Sequence, residues 1–261
     1  ICGRKVDQVD PCPYNERSGG PTCPECCEGC YTGNPFPCPE HDRRQAENKL
    51  SSTTATALEK KQNESEETKM ANDNKTRFIQ ILEGTNRPGV DKLLAWLDTT
   101  DFYTAPASTK YHGAYPGGLL EHSLHVYDRL LPLAEGWQQS TLAVVALLHD
   151  LAKINVYRKY TKNQKNKQGQ WEQVEVWGYD DKFPQGHGEK SVILIMQHGL
   201  TLTDEEITAI NWHMGGFDTR VKGGSYDLNG AWERFPLAVR LHIADLEATW
   251  MDEGRQQKGQ A

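Results

Sequence analysis

Leu142-Ala-Val-Val-Ala-Leu-Leu-His149-Asp150-Leu-Ala-Lys153 is the stretch that decides how this chain is read. Seven consecutive apolar residues without Gly or Pro predict a helix that is apolar all round, and such a helix belongs inside a protein or a membrane. The run, like the shorter Val192–Met196, is far below the roughly 18 residues that crossing a bilayer requires. It is therefore read as a core helix. A carboxylate delivered into a core by such a helix is unfavourable unless a cation or partner compensates it, and the imidazole beside it points to a metal ion. A His-Asp pair alone carries little weight: the chain has a second one, His41-Asp42, which follows Cys38-Pro-Glu in a quite different context.

Further metal-type side chains lie on both sides. They are His122 in GGLLEHSLHV, His187 in FPQGHGEKS, His213 in AINWHMGGFD and Asp245 in LHIADLEAT, each within an apolar helical pattern or at its end. Apolar residues at three-to-four spacing predict helices over Leu119–Leu133, Ser140–Ile154, Gly188–His198, Thr203–His213 and Pro236–Met251. Phe78, Ile79, Ile81 and Leu82 give another from about Arg77, and Pro88 is placed to open one carrying Val90, Leu93, Leu94 and Leu97. Thr203 and Glu206 match a capping box. The exception lies between Val156 and Trp177, where Tyr157, Tyr160, Trp171, Val174, Val176 and Trp177 flank the polar Lys162–Gly169. That pattern predicts a β-hairpin whose aromatic arms pack on the helices or form a lid that stacks a nucleobase.

The order His122, His149-Asp150, His187, His213, Asp245, with Lys153 three residues after the aspartate, resembles the HD-domain superfamily of metal-dependent phosphohydrolases. The resemblance covers roughly residues 77–252. Within it, Ala105–Tyr115 (APASTKYHGAY) and Asp180–Ser191 (DDKFPQGHGEKS) are similar to a group of small bacterial and phage HD hydrolases. It implies an all-α fold, a helical bundle with the small β-hairpin as an insertion. It also implies that His122, His149, Asp150 and Asp245 hold one divalent transition metal ion and that His187 and His213 add a second, with Asp150 bridging. A nitrogen and oxygen donor set without thiolate suits Mn, Fe, Ni, Co or Zn. A bound metal brings the pKa of its water toward neutrality. The implied reaction is thus hydrolysis of a phosphomonoester or phosphodiester of a nucleotide-like substrate by a metal-bound hydroxide. Asp150 and Lys153 are the catalytic residues, the lysine neutralising charge that develops on phosphate.

Some two-metal relatives carry His-His where this chain has Trp212-His213. His125, His198 and His242 fall off the pattern and are expected as surface, core or supporting residues. Lys110 and His112, ahead of the Gly117-Gly118 turn, and Arg220, after Gly215-Gly216, are candidate substrate contacts. Two other readings stand beside the hydrolase. One is a 3′→5′ exoribonuclease-like nuclease, whose HD domain has similar GGL-x-x-H and HD-L-x-K elements. The other is a non-catalytic nucleic-acid or partner-binding module that works through a zinc segment.

That segment would be the N-terminal one. All seven cysteines lie between Cys2 and Cys38, and none occurs in the 223 residues that follow. Cys23-x2-Cys26, Cys27-x2-Cys30 and Cys38-x2-His41, with Cys12 ahead, have spacings by which ligands from one turn hold a tetrahedral zinc. An odd count argues against a simple disulfide framework. Residues 1–44 are therefore expected to be a Cys/His-rich structural zinc module. Residues 45–76, poor in bulky apolar side chains, are expected as a polar linker, 77–252 as the HD phosphohydrolase domain and 253–261 as a disordered tail. The net charge of −7, from 29 Lys+Arg against 36 Asp+Glu, is not that of a protein that coats a polyanion. A small phosphorylated substrate is the expected partner, nucleic acid stays open, no membrane partner is expected, and the expected location is cytoplasmic.

Overall fold

A computed structural model describes residues 68–253. The cysteine module with Cys12, Cys23, Cys26, Cys27, Cys30, Cys38 and His41, the linker up to residue 67 and the tail from 254 lie outside the described residues. The first described element, α1, runs through residues 68–84, so the last nine residues of the stretch read as linker are helical. The anchor of that polar turn is a lysine, which apolar periodicity does not register: Lys75 Nζ lies 2.7 Å from Asp98 Oδ1 and 4.2 Å over the Tyr103 ring. Phe78 and Leu82, on the following turns, are fully buried.

Helix α2 (Val90–Leu97) leads through an irregular stretch into α3 (Gly118–Leu133) and α4 (Gln139–Leu148). Every residue of α4 from Leu142 to Leu148 is buried. This helix packs against α3 on one side and α6 (Asp204–Asn211) on another, and α9 (Pro236–Glu247) closes the bundle against the same two helices. Helix α5 (His187–Gln197) packs on α6 and on the 3-10 turn Leu151–Lys153; the short α7 (Thr219–Lys222) and α8 (Asp227–Arg234) connect α6 to α9. Thr203 and Glu206 form the expected capping box at the start of α6. Among the described residues the architecture is a helical bundle with one two-stranded hairpin, as the resemblance implied. No helix among the described residues is long and apolar enough to cross a membrane.

Two helices end differently from the expectation. Helix α4 stops at Leu148 rather than Ile154: Asp150 leaves helical geometry (φ −105, ψ 18) and Leu151–Lys153 form a 3-10 turn. Periodicity missed the break because Leu151, Ala152 and Ile154 remain buried after it. Helix α9 ends at Glu247 and continues as a π turn, Ala248–Asp252. The hairpin, β1 (Tyr157–Lys165) paired antiparallel with β2 (Trp171–Tyr179), stands largely in solvent. Trp171 is 70% and Tyr179 67% exposed, so these two rings do not pack on the helices, whereas Tyr157, Val174, Val176 and Trp177 are half-buried.

Candidate metal centre

Two close backbone approaches assemble the site. A Cβ at Gly118 would lie 2.1 Å from the carbonyl oxygen of Gly113, so only glycine lets the 105–113 loop sit on the first turn of α3. That loop is tied down by Ala107 N–H to Gly113 O (2.8 Å) and Leu119 N–H to Ala105 O (3.0 Å). It brings the His112 ring to 5.0 Å from that of His122. At the other end a Cβ at Gly188 would lie 2.3 Å from Asn211 O. This lets the start of α5 nest on the end of α6, and the His187 and His213 rings stand 5.2 Å apart.

Asp150 sits between these two ends. Its Oδ2 lies 3.5 Å from His149 Nε2, 3.6 Å from His122 Nε2 and 2.6 Å from Lys153 Nζ. Its Oδ1 lies 2.7 Å from His187 Nε2 and 3.7 Å from His213 Nε2. Asp245 Oδ1, from α9, is 3.2 Å from His122 Nε2. The structure thus brings together all six expected ligands and Lys153, with one oxygen of Asp150 turned to each group of histidines.

The other ring nitrogens explain why the Nε2 atoms converge. His149 Nδ1 donates to Ala146 O at 2.8 Å, and His213 Nδ1 donates to Ile210 O at 2.7 Å. A carbonyl only accepts, so in each ring the proton is on Nδ1 and Nε2 carries a lone pair. Burial keeps both imidazoles neutral, with the pKa of His213 lowered to about 3. Burial also opposes the charge on Asp150, but the Lys153 ammonium and the hydrogen bond to His187 outweigh it and hold the carboxyl well below the usual carboxylate range. The neutral lone pairs of His149 and His213 therefore face carboxylate oxygens in a buried space, and His149 Nε2 has no hydrogen-bond partner. A cation resolves that arrangement. Two ligands about 2.1 Å from a shared ion lie roughly 3.0–3.4 Å apart; His122 Nε2 and Asp245 Oδ1, at 3.2 Å, have that spacing, and the pairs with Asp150 lie just outside it, at 2.7 Å for His187 and 3.5–3.7 Å for the others. His122–His149–Asp245 and His149–Asp150–His213 each offer ligand atoms within 4.8 Å of one another.

His122 differs in having a carboxylate on each side. Burial disfavours its charged form, but Asp245 and Glu253 outweigh burial and raise its pKa to about 10. Without a metal, a proton on this ring supplies the positive charge. Lys153 is likewise held charged: burial works against it, and Asp150 and Tyr157 more than offset that.

The candidate substrate contacts divide. His112 faces the site, its pKa lowered to about 4 by burial and by the charges of Lys153 and His122. Lys110 is exposed on the same loop. Arg220 is engaged within the protein: its guanidinium donates to Asp218 Oδ2 (2.7 Å), Glu189 Oε1 (2.7 Å) and Asn211 O (2.9 Å), and stacks 3.9 Å over the Trp212 ring. With these donors in use, it braces the turn after α6.

Three further residues support the ligands. His242 Nδ1 donates to His213 O at 2.7 Å and packs on Gly215, whose Cβ would meet that ring at 2.7 Å. His125 and Glu253 lie behind His122, and Glu253, assigned from the sequence to the tail, is only 3% exposed. Nothing in the polar run around Glu253 signals burial.

No curated protein and no solved structure matches the chain. The family model for the HD domain matches residues 119–249, which span α3 to the end of α9 and contain the six ligand positions. On that match and on the ligand cluster it encloses, the chain belongs to the HD-domain family.

Proposed function

We propose that the chain is a metal-dependent phosphohydrolase that cleaves a phosphomonoester or phosphodiester of a nucleotide-like substrate. The observation that carries the reading is Asp150, whose two oxygens face two separate groups of imidazole Nε2 atoms. A divalent ion held there supplies a Lewis acid for a phosphoryl oxygen and lowers the pKa of a water it holds. The protein's own groups do the rest. Asp150 stays ionised, and His149 and His213 stay neutral, so their Nε2 atoms remain available as donors to a metal. Lys153 keeps a half-buried ammonium 2.6 Å from Asp150, where a phosphate drawn to the site gains a countercharge. His112, neutral at physiological pH, offers a hydrogen-bonding group without adding charge.

The hairpin supports the nucleotide-like part of the reading. It begins four residues after Lys153, and its register puts Tyr157, Lys159 and Lys165 on one face with Trp171, Trp177 and Tyr179. Lys165 Nζ lies 5.2 Å over the Trp171 ring and Lys159 Nζ 5.4 Å over Trp177. Exposed Trp171 and Tyr179 and half-buried Tyr157 and Trp177, interleaved with cations, suit a base and its phosphates.

The test is a substrate panel on the Mn-loaded full chain, running from bis(p-nitrophenyl) phosphate to mononucleotides and oligonucleotides. Hydrolysis that disappears in Asp150→Asn is expected, with Trp171→Ala raising KM for nucleotides but not for the small synthetic diester. A metal-loaded protein that hydrolyses nothing in the panel would contradict the reading, and processive loss of 3′ nucleotides would turn it toward the nuclease.

A further inference from the structure

His149 and His213 orient themselves with carbonyls of their own helices. Each stands just beyond a helix end, where the last carbonyls have no intrahelical partner. His122 is in the second turn of α3, where the carbonyls below are committed; Leu119 O, for example, already accepts from Ser123 Oγ at 3.0 Å. It needs an acceptor from elsewhere, and Glu253 supplies one. Glu253 Oε1 lies 2.9 Å from His122 Nδ1 and 3.2 Å from His125 Nδ1.

The backbone that delivers Glu253 is unusual. In an α-helix, seven residues return nearly to the same face, so Asp252 would be the residue beneath Asp245. The π turn Ala248–Asp252 inserts extra backbone at this point. Asp252 is turned outward to Arg129, with Nε to Oδ2 at 2.9 Å, and Glu253 takes the inward position. π turns in helices are rare and concentrate at functional sites.

We propose that Glu253 is a positioning residue that fixes the tautomer and orientation of His122, so that Nε2 is presented to the metal beside Asp245 and Asp150. The proposal rests on the metal-centre reading above. A carboxylate behind a ligating imidazole locks the ring and raises its basicity. The same residues have a competing use, since His112, His122 and Glu253 offer three ligand atoms within 4.8 Å of one another. A third ion there would require His122 to bind metal through both nitrogens and give up its last ring proton, whereas a single hydrogen bond to Glu253 asks for no such loss.

The experiment is Mn²⁺ binding to the full chain by calorimetry, with helical circular dichroism as the check on folding. Glu253→Ala is expected to weaken binding about 10- to 100-fold. Glu253→Gln should fall between it and the parent, because the amide oxygen still accepts from Nδ1 but brings no charge. Asp252→Asn, on the same turn, should bind like the parent, and His112→Ala should keep the parent's number of ions. Parent-like binding by folded Glu253→Ala would overturn the proposal, as would an equal loss in Asp252→Asn, which would assign the effect to the turn itself. Should Glu253→Ala fail to fold, parent-like binding by Glu253→Gln overturns it instead. A lost ion in His112→Ala would favour the third-ion arrangement. A parent protein that binds no Mn²⁺ would instead refute the metal centre on which the proposal rests.

Discussion

His187 and His213 address one oxygen of Asp150, and His122 and His149 address the other, so the two groups are separable by substitution. His187→Ala is expected to lower the Mn content of the HD site from two ions toward one, measured by elemental analysis after loading and desalting. His122→Ala should do more damage, because it removes the ring that links Asp245 to Asp150. An unchanged single ion in both the parent and His187→Ala would leave a mononuclear site. The same ring sets a pH dependence. In the metal-free chain the carboxylates of Asp245 and Glu253, acting against burial, raise the pKa of His122 to about 10. Its proton is thus bound at neutral pH and must leave when metal enters. Mn affinity should therefore rise with pH through the neutral range, by up to about tenfold per unit for one released proton, with proton release visible as a buffer-dependent binding enthalpy. A pH-independent affinity would contradict this assignment of the proton.

Among the elements, α6 shows how a local motif and a long-range ion pair support each other. Thr203 N–H donates to Glu206 Oε2 at 2.9 Å, and Arg87 Nη1, from the connection between α1 and α2, donates to Glu206 Oε1 at 2.6 Å. Burial acts to raise the pKa of Glu206, but Arg87 and the Thr203 N–H outweigh it and the net shift is downward. A depressed folded pKa means that the stabilisation is present above the ordinary glutamate range and is lost as pH falls through the lowered value. Glu206→Gln should destabilise the fold by about 2–4 kcal/mol at neutral pH, and the difference from the parent should shrink below about pH 4. Denaturant unfolding at two pH values checks both statements; a difference that persists in acid would contradict them. The capping box was readable because it is encoded in four adjacent residues, and α4 because its burial on all sides leaves an unbroken apolar run. The break at Asp150 and the π turn were not readable, because each changes backbone geometry without changing which apolar residues are buried. Extrapolating α9 as a regular helix selects Asp252 for the inner position. The chain uses Glu253.

For the whole molecule, the described residues contain a continuous apolar core from Phe78 to Ala248. The residues at the start of α1, up to Asp73, are exposed. Residues 70–261 should therefore fold cooperatively on their own and bind Mn as the full chain does, since every expected HD-site ligand lies downstream. An unfolded 70–261 fragment, beside a folded full chain, would show that the N-terminal residues complete the core. The candidate ligand set was recognisable as an ordered series of histidines and aspartates within apolar helical patterns or at their ends. Its supporting acceptors were not, because two of them are backbone carbonyls and the third sits in a polar run. Likewise, Arg220 reads as a free cation in a glycine-rich loop, and only the fold reveals its partners Asp218, Glu189 and Asn211.

We propose that Asp150 is shared between ions at the junction of α4 and the 3-10 turn. The most direct measurement is the metal content of folded Asp150→Asn against the parent, both loaded with Mn²⁺ and desalted. The substitution keeps size and shape but removes the charge that two groups of ligands share. Loss of the bound Mn with the helical spectrum intact is the predicted result. A folded Asp150→Asn protein with the parent's metal content would contradict it.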